Sequence, residues 1–381
     1  MPESPDLPGA DTHPSGSVLP GPVRALLTTL PPSCTGPDTA CPDTDAGWRI
    51  RREVARTLGR SGLLAAHWPR GLGGRSAPLA EVARWREQVA IAGLQLNHAL
   101  VSGIRWIGGP MLAHGTASQQ AEWAPPVARG EWTCALAVTE EQAGSDLGAI
   151  ATRAERFPGG YRLAGTKSRV SFAHRVSHLL VLARTEHLAR GVAGLTAFRV
   201  PARTPGLTWQ RRATAGTGHP LFRVRFDEVR IDESWRIGDA GQGFEVVHDA
   251  RWSGDTPVER AALFTHAVGS LARQSALCAV RGPHDANRRI AELAHEAEAW
   301  TRLAWQAVHH PEHADLERWA SRRDEAARWL KLGDVLATLG QGERARGLWA
   351  HAGTLHAGTT VEGLQRLASL GRYDLWDPIR T

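Results

Sequence analysis

The sequence predicts an α+β chain in which an N-terminal helical domain, a middle antiparallel β domain and a C-terminal helical bundle follow one another. Three observations carry this. Apolar residues recur at helical spacing from Thr44 to about Glu131. Short alternating or β-branched runs bounded by Gly and Pro fill Cys134 to about Ile237, and helical periodicity returns after Phe244. At 381 residues a single small core is excluded, and two or three packed subdomains are expected.

Each segment has its own warrant. Residues 1–44 are dense in Pro, Ser, Thr, Gly and Asp with no basic start followed by an apolar stretch, so a disordered tail is expected rather than a secretion signal. Residues 45–133 form the helical domain, marked by Val54, Leu58, Leu63 and Leu64, then Leu79, Val82 and Trp85, then Val89, Ile91 and Leu94. A loop rich in Pro and Gly, His67-Trp68-Pro69-Arg70-Gly71-Leu72-Gly73-Gly74, interrupts it. Residues 134–240 form the β domain, with strand-like runs at Tyr161 to Leu163, Leu179 to Leu182, Thr196 to Val200 and Phe222 to Phe226. Residues 241–381 form the C-terminal bundle, with segments rich in Ala, Leu, Arg and Trp at 257–281, 286–308 and 314–338.

The formal charge of +6 comes almost wholly from arginine, since Lys167 and Lys331 are the only lysines. Arginines interleave with acids along the helices and form no basic stripe, so no nucleic-acid partner is expected. A modest positive field does suit a phosphorylated pantetheine carrier. No run of eighteen apolar residues exists, so no membrane-spanning helix is expected. Cys34, Cys41, Cys134 and Cys278 make neither a metal nor a disulfide framework, and the cytoplasm is the expected location. His309, His310 and His313 have metal-like spacing without a second cluster and are expected in a solvated turn. The tryptophans recur at helical spacing, as in Trp300 and Trp305, and are expected in a core or interface.

The string that carries chemistry is Val138-Thr139-Glu140-Glu141-Gln142-Ala143-Gly144-Ser145-Asp146, followed by the Gly159-Gly160 to Gly165-Thr166-Lys167 hairpin. Two small residues and a hydroxyl let a backbone approach a ligand closely, and the Asp behind them can cap the amides of the turn. The string resembles the T-E-P-x-A-G-S-D flavin-binding segment of the acyl-CoA dehydrogenase family, with Glu141 and Gln142 as departures. His67 to Gly74 resembles the family's W-P-x-x-x-G-G loop, and His114-Gly115-Thr116 with Gln119 and Gln120 its H-G-T-x-x-Q junction. Phe226-Asp227-Glu228-Val229 with Gly238 to Phe244 resembles its exit from the β domain. The resemblance covers residues 45–281 well and the remainder poorly.

The resemblance implies FAD and α,β-dehydrogenation of an acyl thioester, carried on coenzyme A or an acyl carrier protein. It places the cofactor against Leu136, Val138, Thr139, Gly144, Ser145, Arg169, Ser171, Arg281 and Thr359, and the substrate against Ser145, Arg260 and Gly358. Ser171 keeps the hydroxyl of the family's Trp-Ile-Thr strand, while Arg169 replaces its covering aromatic. Most members place the base directly before a C-terminal Gly-Thr; here that position is Ala357. A minority, isovaleryl-CoA dehydrogenase among them, place a Glu before an Arg on the first long helix after the β domain. Glu259-Arg260 with Ala357-Gly358-Thr359 match both halves of that pattern, so the resemblance assigns the base to Glu259, with Glu362 the weaker candidate. The family's R-x-x-F-G and G-G-x-G-Y strings, which serve flavin sites shared between subunits, are eroded after Arg281. Electron-transfer flavoprotein or oxygen is the expected acceptor, and a homo- or hetero-oligomer the expected assembly. A flavin monooxygenase on the same fold and a non-catalytic subunit of a heteromer are the rival readings.

Overall fold

The computed structural model describes residues 19–31, 44–92, 94, 102–144, 146–185, 191–212, 220–249, 258, 261–262, 264–269, 284–309, 328, 330–332 and 334–335. The expected disordered tail over 1–44 is corrected at residues 19–31. There α1 (Gly21–Thr29) starts with proline in its first turn and buries Val23, while Leu26, Leu27 and Leu30 pack on the first core. Proline and glycine set the composition of this stretch, but Val23, Leu26, Leu27 and Leu30 share one helical face and have a core to cover.

The helical domain continues with α2 (Asp45–Arg60), whose N-cap Thr44 accepts from the Gly47 amide at 3.1 Å. Then come α3 (Leu79–Ile91), a π-turn over Ile104–Gly108 running into α4 (Gly109–His114), and α5 (Ala117–Ala128). Between α2 and α3 the Trp68 to Gly74 loop folds back on itself, Ser76 donating to the Trp68 carbonyl at 2.8 Å. A Cβ on Gly74 would stand 2.0 Å from that carbonyl, so only glycine fits.

The middle domain holds β1 (Cys134–Ala137), β2 (Arg153–Phe157), β3 (Gly160–Ser171), β4 (His178–Arg184), β5 (Leu195–Pro201), β6 (Leu207–Arg212), β7 (Leu221–Asp232) and β8 (Arg236–Ile237). They form one sheet in the order β6-β7-β3-β2-β4-β5-β8, with β1 beside β4. The sheet refines the antiparallel expectation: β1 runs parallel to β4, with Cys134 facing His178, and Arg153 of β2 pairs Arg184 in parallel. The reason is the long segment after β1, which carries the chain away instead of turning it back as a hairpin. Strand β4 is buried on both faces. Leu179, Val181 and Ala183 join the core within the β domain, and Leu180 and Leu182 join the core shared with the N-terminal helices.

Two polar contacts fasten the helical domain to the sheet's exit. Gln119 completes a capping box with Thr116, and its Nε2 also donates to the carbonyls of Ser234 and Arg236, both at 2.7 Å. His114 Nε2 lies 3.0 Å from Asp249 Oδ2, joining the end of α4 to the end of α6 (Gly243–His248). Beyond it, α7 (His284–His309) packs Ile290, Leu293, Ala297, Trp300, Ala304 and Val308 against Val258, Phe264, Leu332 and Ala83 of α3. Trp305 Nε1 donates to Glu87 Oε1 at 2.9 Å along the same seam. No helix among the described residues is long and apolar enough to cross a membrane.

Candidate active site

The turn after β1 is closed on itself, the Glu140 amide donating to the Ala143 carbonyl at 2.8 Å. The Glu140 side chain holds that turn to the rest of the sheet. Its residue is 1% exposed, and its two carboxylate oxygens accept four bonds. Oε1 takes Lys167 Nζ at 2.7 Å and the Thr152 amide at 3.0 Å; Oε2 takes the Ala151 amide at 2.8 Å and Gln142 Nε2 at 2.6 Å. Lys167 Nζ also donates to the Val138 carbonyl at 3.0 Å. Burial pushes the Glu140 carboxyl up, but the Lys167 charge and the hydrogen bonds outweigh it and hold the group below its ordinary value. Burial pulls the Lys167 ammonium down to about 8, with Glu140 opposing the shift.

Strand β3 meets this turn at a bulge. Lys167 faces Val224 and Val170 faces Phe222, so Ser168 and Arg169 together stand opposite Arg223. Arg169 takes a left-handed backbone, φ 54°, at a cost of about 1–2 kcal/mol for a residue with a Cβ. At this bulge the Ser168 amide donates to the Thr139 carbonyl at 2.8 Å. Turn and strand are therefore one unit.

Of the residues proposed for the cofactor, this contact brings Thr139, with Val138 before it, to the strand that carries Arg169 and, three residues beyond Ser168, Ser171; Leu136 in β1 leads in. Thr139 and Ser171 are half-buried, Arg169 and Gly144 exposed. Gly144 has nothing within 4 Å of where a Cβ would sit, so it offers bare backbone to an approaching group. Behind it, Asp146 Oδ1 accepts from the Gly148 amide at 2.9 Å, the cap anticipated for an Asp at this place. Hydroxyls, backbone amides and an open glycine form a donor set that fits a flat ring held mainly by backbone contacts. A pocket of about 530 Å³ lined by Arg156 to Gly159 and Glu233 lies at the β2–β3 turn, the other end of β3.

Ser145, Glu259, Arg260, Arg281, Gly358 and Thr359 lie outside the described residues, as does Glu362. Sequence reasoning missed the Glu140–Lys167 pair. Its signal was the rarity of lysine: one of two in the chain sits in the hairpin that follows the Thr139 to Asp146 string with its two glutamates. It also left Glu141 and Gln142 as unexplained departures. Gln142 is a donor to Glu140, and Glu141 Oε1 accepts from Arg212 at 2.9 Å and Arg223 at 3.0 Å.

Residues 39–131 match the family described as acyl-CoA dehydrogenase, N-terminal domain, and residues 135–229 the family described as acyl-CoA dehydrogenase, middle domain. Over 197 residues the chain is 34% identical to acyl-CoA dehydrogenase FadE34 of Mycobacterium tuberculosis, covering 51% of this chain and 27% of that protein. Over 275 residues it is 27% identical to the mitochondrial short-chain specific acyl-CoA dehydrogenase of Mus musculus, covering 66% and 63%. The chain thus spans less than two thirds of the length of these curated relatives. Among solved structures, one described as Tcur3481-Tcur3483 steroid ACAD superposes with a TM-score of 0.75 at 21% identity, covering 92% of this chain and 94% of that one. At that identity the likeness is one of fold.

Proposed function

Since the chain belongs to the acyl-CoA dehydrogenase family through its N-terminal and middle domains, we propose that it is a flavin-dependent oxidoreductase that desaturates an acyl thioester between its α and β carbons. The observation that carries this reading is the Ser168–Thr139 contact. It joins the turn that resembles the family's flavin segment to the strand that resembles its ring-covering segment.

In this reading Leu136, Val138, Thr139 and Gly144 present backbone to the flavin ring, and Ser171 presents its hydroxyl. The buried Glu140–Lys167 pair keeps that backbone in place before any ligand arrives, so binding need not order the turn. Arg281 and Thr359 serve the rest of the FAD, and Ser145, Arg260 and Gly358 the thioester. Glu259 takes the α-proton onto its carboxylate. FAD would supply the acceptor for the hydride leaving the β-carbon, while the two electrons of the α C–H bond form the new double bond. Coenzyme A and an acyl carrier protein both suit the thioester's carrier. The electron acceptor would be an electron-transfer flavoprotein, with oxygen the alternative, and the working unit an oligomer.

The test is an anaerobic absorbance spectrum of the FAD-loaded protein titrated with a panel of acyl thioesters. Bleaching of the flavin bands supports the reading, and bands that never bleach with any thioester count against it. Arg169, an exposed cation where family members carry a covering aromatic, favours a flavin monooxygenase as the second reading. An oxygen-dependent hydroxylated or nitroso product would establish that reading instead.

A further inference from the structure

Glu141 and Arg169 both depart from the family's strings, and the structure puts them in one cluster. The β3 bulge sets Arg169 opposite Arg223, while Gln210 of β6 faces Arg223 from the other side. Two rows along, on the same face of β6 as Gln210, Arg212 ends the strand across from Leu221. The Arg212 and Arg223 guanidiniums converge on a single oxygen, Glu141 Oε1, at 2.9 and 3.0 Å. Two guanidiniums thus share one carboxylate oxygen, and the Arg169 charge also acts on that carboxyl. Arg169 makes no hydrogen bond among the described residues, and the Nε of Arg223 is buried without a partner among them. A carboxylate oxygen held by two guanidiniums marks where an oxyanion is stable, because planar N–H forks match carboxylate and phosphate oxygens alike.

We propose that Arg169, Arg212 and Arg223 form a binding site for a diphosphate ester, with Glu141 as the built-in competitor that occupies the site when the ester is absent. The Glu141 side chain is 50% exposed, so it can leave for water at little cost, and exposed ion pairs of this kind contribute little to folding. A diphosphate carries more charge and more acceptor oxygens than a carboxylate, so it can engage Arg169 together with Arg212 and Arg223. The cluster adjoins the Thr139 to Gly144 turn in sequence and in space. The assignment of the ester to a flavin dinucleotide or to a coenzyme A thioester rests on the function proposed above; the anion site itself does not.

The full chain is titrated by calorimetry with inorganic pyrophosphate at low and at physiological salt. R212Q/R223Q is expected to weaken binding by about tenfold or more, and E141Q to tighten it severalfold by removing the competitor. Circular dichroism and thermal midpoints verify that the variants fold. The E141Q result separates the proposal from a structural ion cluster, in which losing Glu141 gives no gain. Displacement of pyrophosphate by coenzyme A and not by FAD assigns the site to the thioester carrier, and the reverse assigns it to the cofactor. The proposal is overturned by pyrophosphate that does not bind, that binds R212Q/R223Q as well as the wild type, that binds E141Q more weakly, or that neither ester displaces. Flavin absorbance recorded on the same samples reports on the proposed function separately.

Discussion

Lys167 Nζ stands 2.7 Å from Glu140 Oε1 with both side chains essentially out of water, at 0% and 2% exposure. The pair spans the turn after β1 and the strand that covers it. Its attraction operates at low local dielectric, where losing one partner leaves an uncompensated buried charge.

Lys167→Met should therefore lower unfolding stability by about 3–5 kcal/mol, the usual loss when one member of a buried pair is removed. Adding Glu140→Gln should recover part of the loss. Urea unfolding of the two single variants and the double variant measures the coupling, and strictly additive losses would mean that the two side chains do not act as a pair.

Acid should weaken the fold through the same carboxylate. Glu140 is held below its ordinary value of 4.5 in the folded chain, so the folded state binds this proton less readily than the unfolded one. Its contribution is fully present above about 4.5 and is lost as pH falls through the lower, folded value. Stability measured from pH 6 to pH 3 should drop less steeply in Glu140→Gln than in the wild type, from a lower starting point.

Gly144→Val separates binding from folding. The Cβ position at Gly144 is open and its backbone is not left-handed, so unfolding stability should change by no more than about 0.5 kcal/mol. Retention of FAD after gel filtration, read from the flavin bands, should fall because the added methyls block the bare backbone. Full retention in a stably folded variant would remove Gly144 from the site.

Gln119→Ala should cost about 1–3 kcal/mol, because two carbonyls lose their donor and α5 loses half of its capping box. Gln119→Glu should not rescue it, since a carboxylate has no N–H for Ser234 and Arg236. Thermal melts of the two variants provide the comparison.

Glu259→Gln should slow flavin reduction by an acyl thioester by about a hundredfold to ten-thousandfold while FAD stays bound, the span usual for loss of a general base. Glu362→Gln should do much less. Stopped-flow reduction under anaerobic conditions orders the two, and an unchanged rate in the Glu259 variant would move the base elsewhere.

The order of helix, sheet and helix was legible because hydrophobic period is a local property: 3.6 in Val54 and Leu58, 2 in Phe222, Val224 and Phe226. The turn after β1 was legible as a turn, since Gly and Asp favour turns and Asp146 caps the Gly148 amide. Helix α1 was not. Its proline and glycine argued for disorder, and only the presence of a core to cover made Val23 and its neighbours fold.

By itself, then, the sequence determined which described segments are helix and which are strand, where the turn after β1 lies, and which residue types that turn carries. Tertiary structure alone decided that β1 runs parallel to β4, that a β3 bulge brings Arg169 to Arg223 and Ser168 to Thr139, and that Lys167 answers Glu140 from 27 positions further along the chain. The division has a physical cause. Periodicity and turn chemistry act over a few bonds and are written in neighbouring residues, whereas register, bulges and buried ion pairs are set by which distant surfaces can exclude water together.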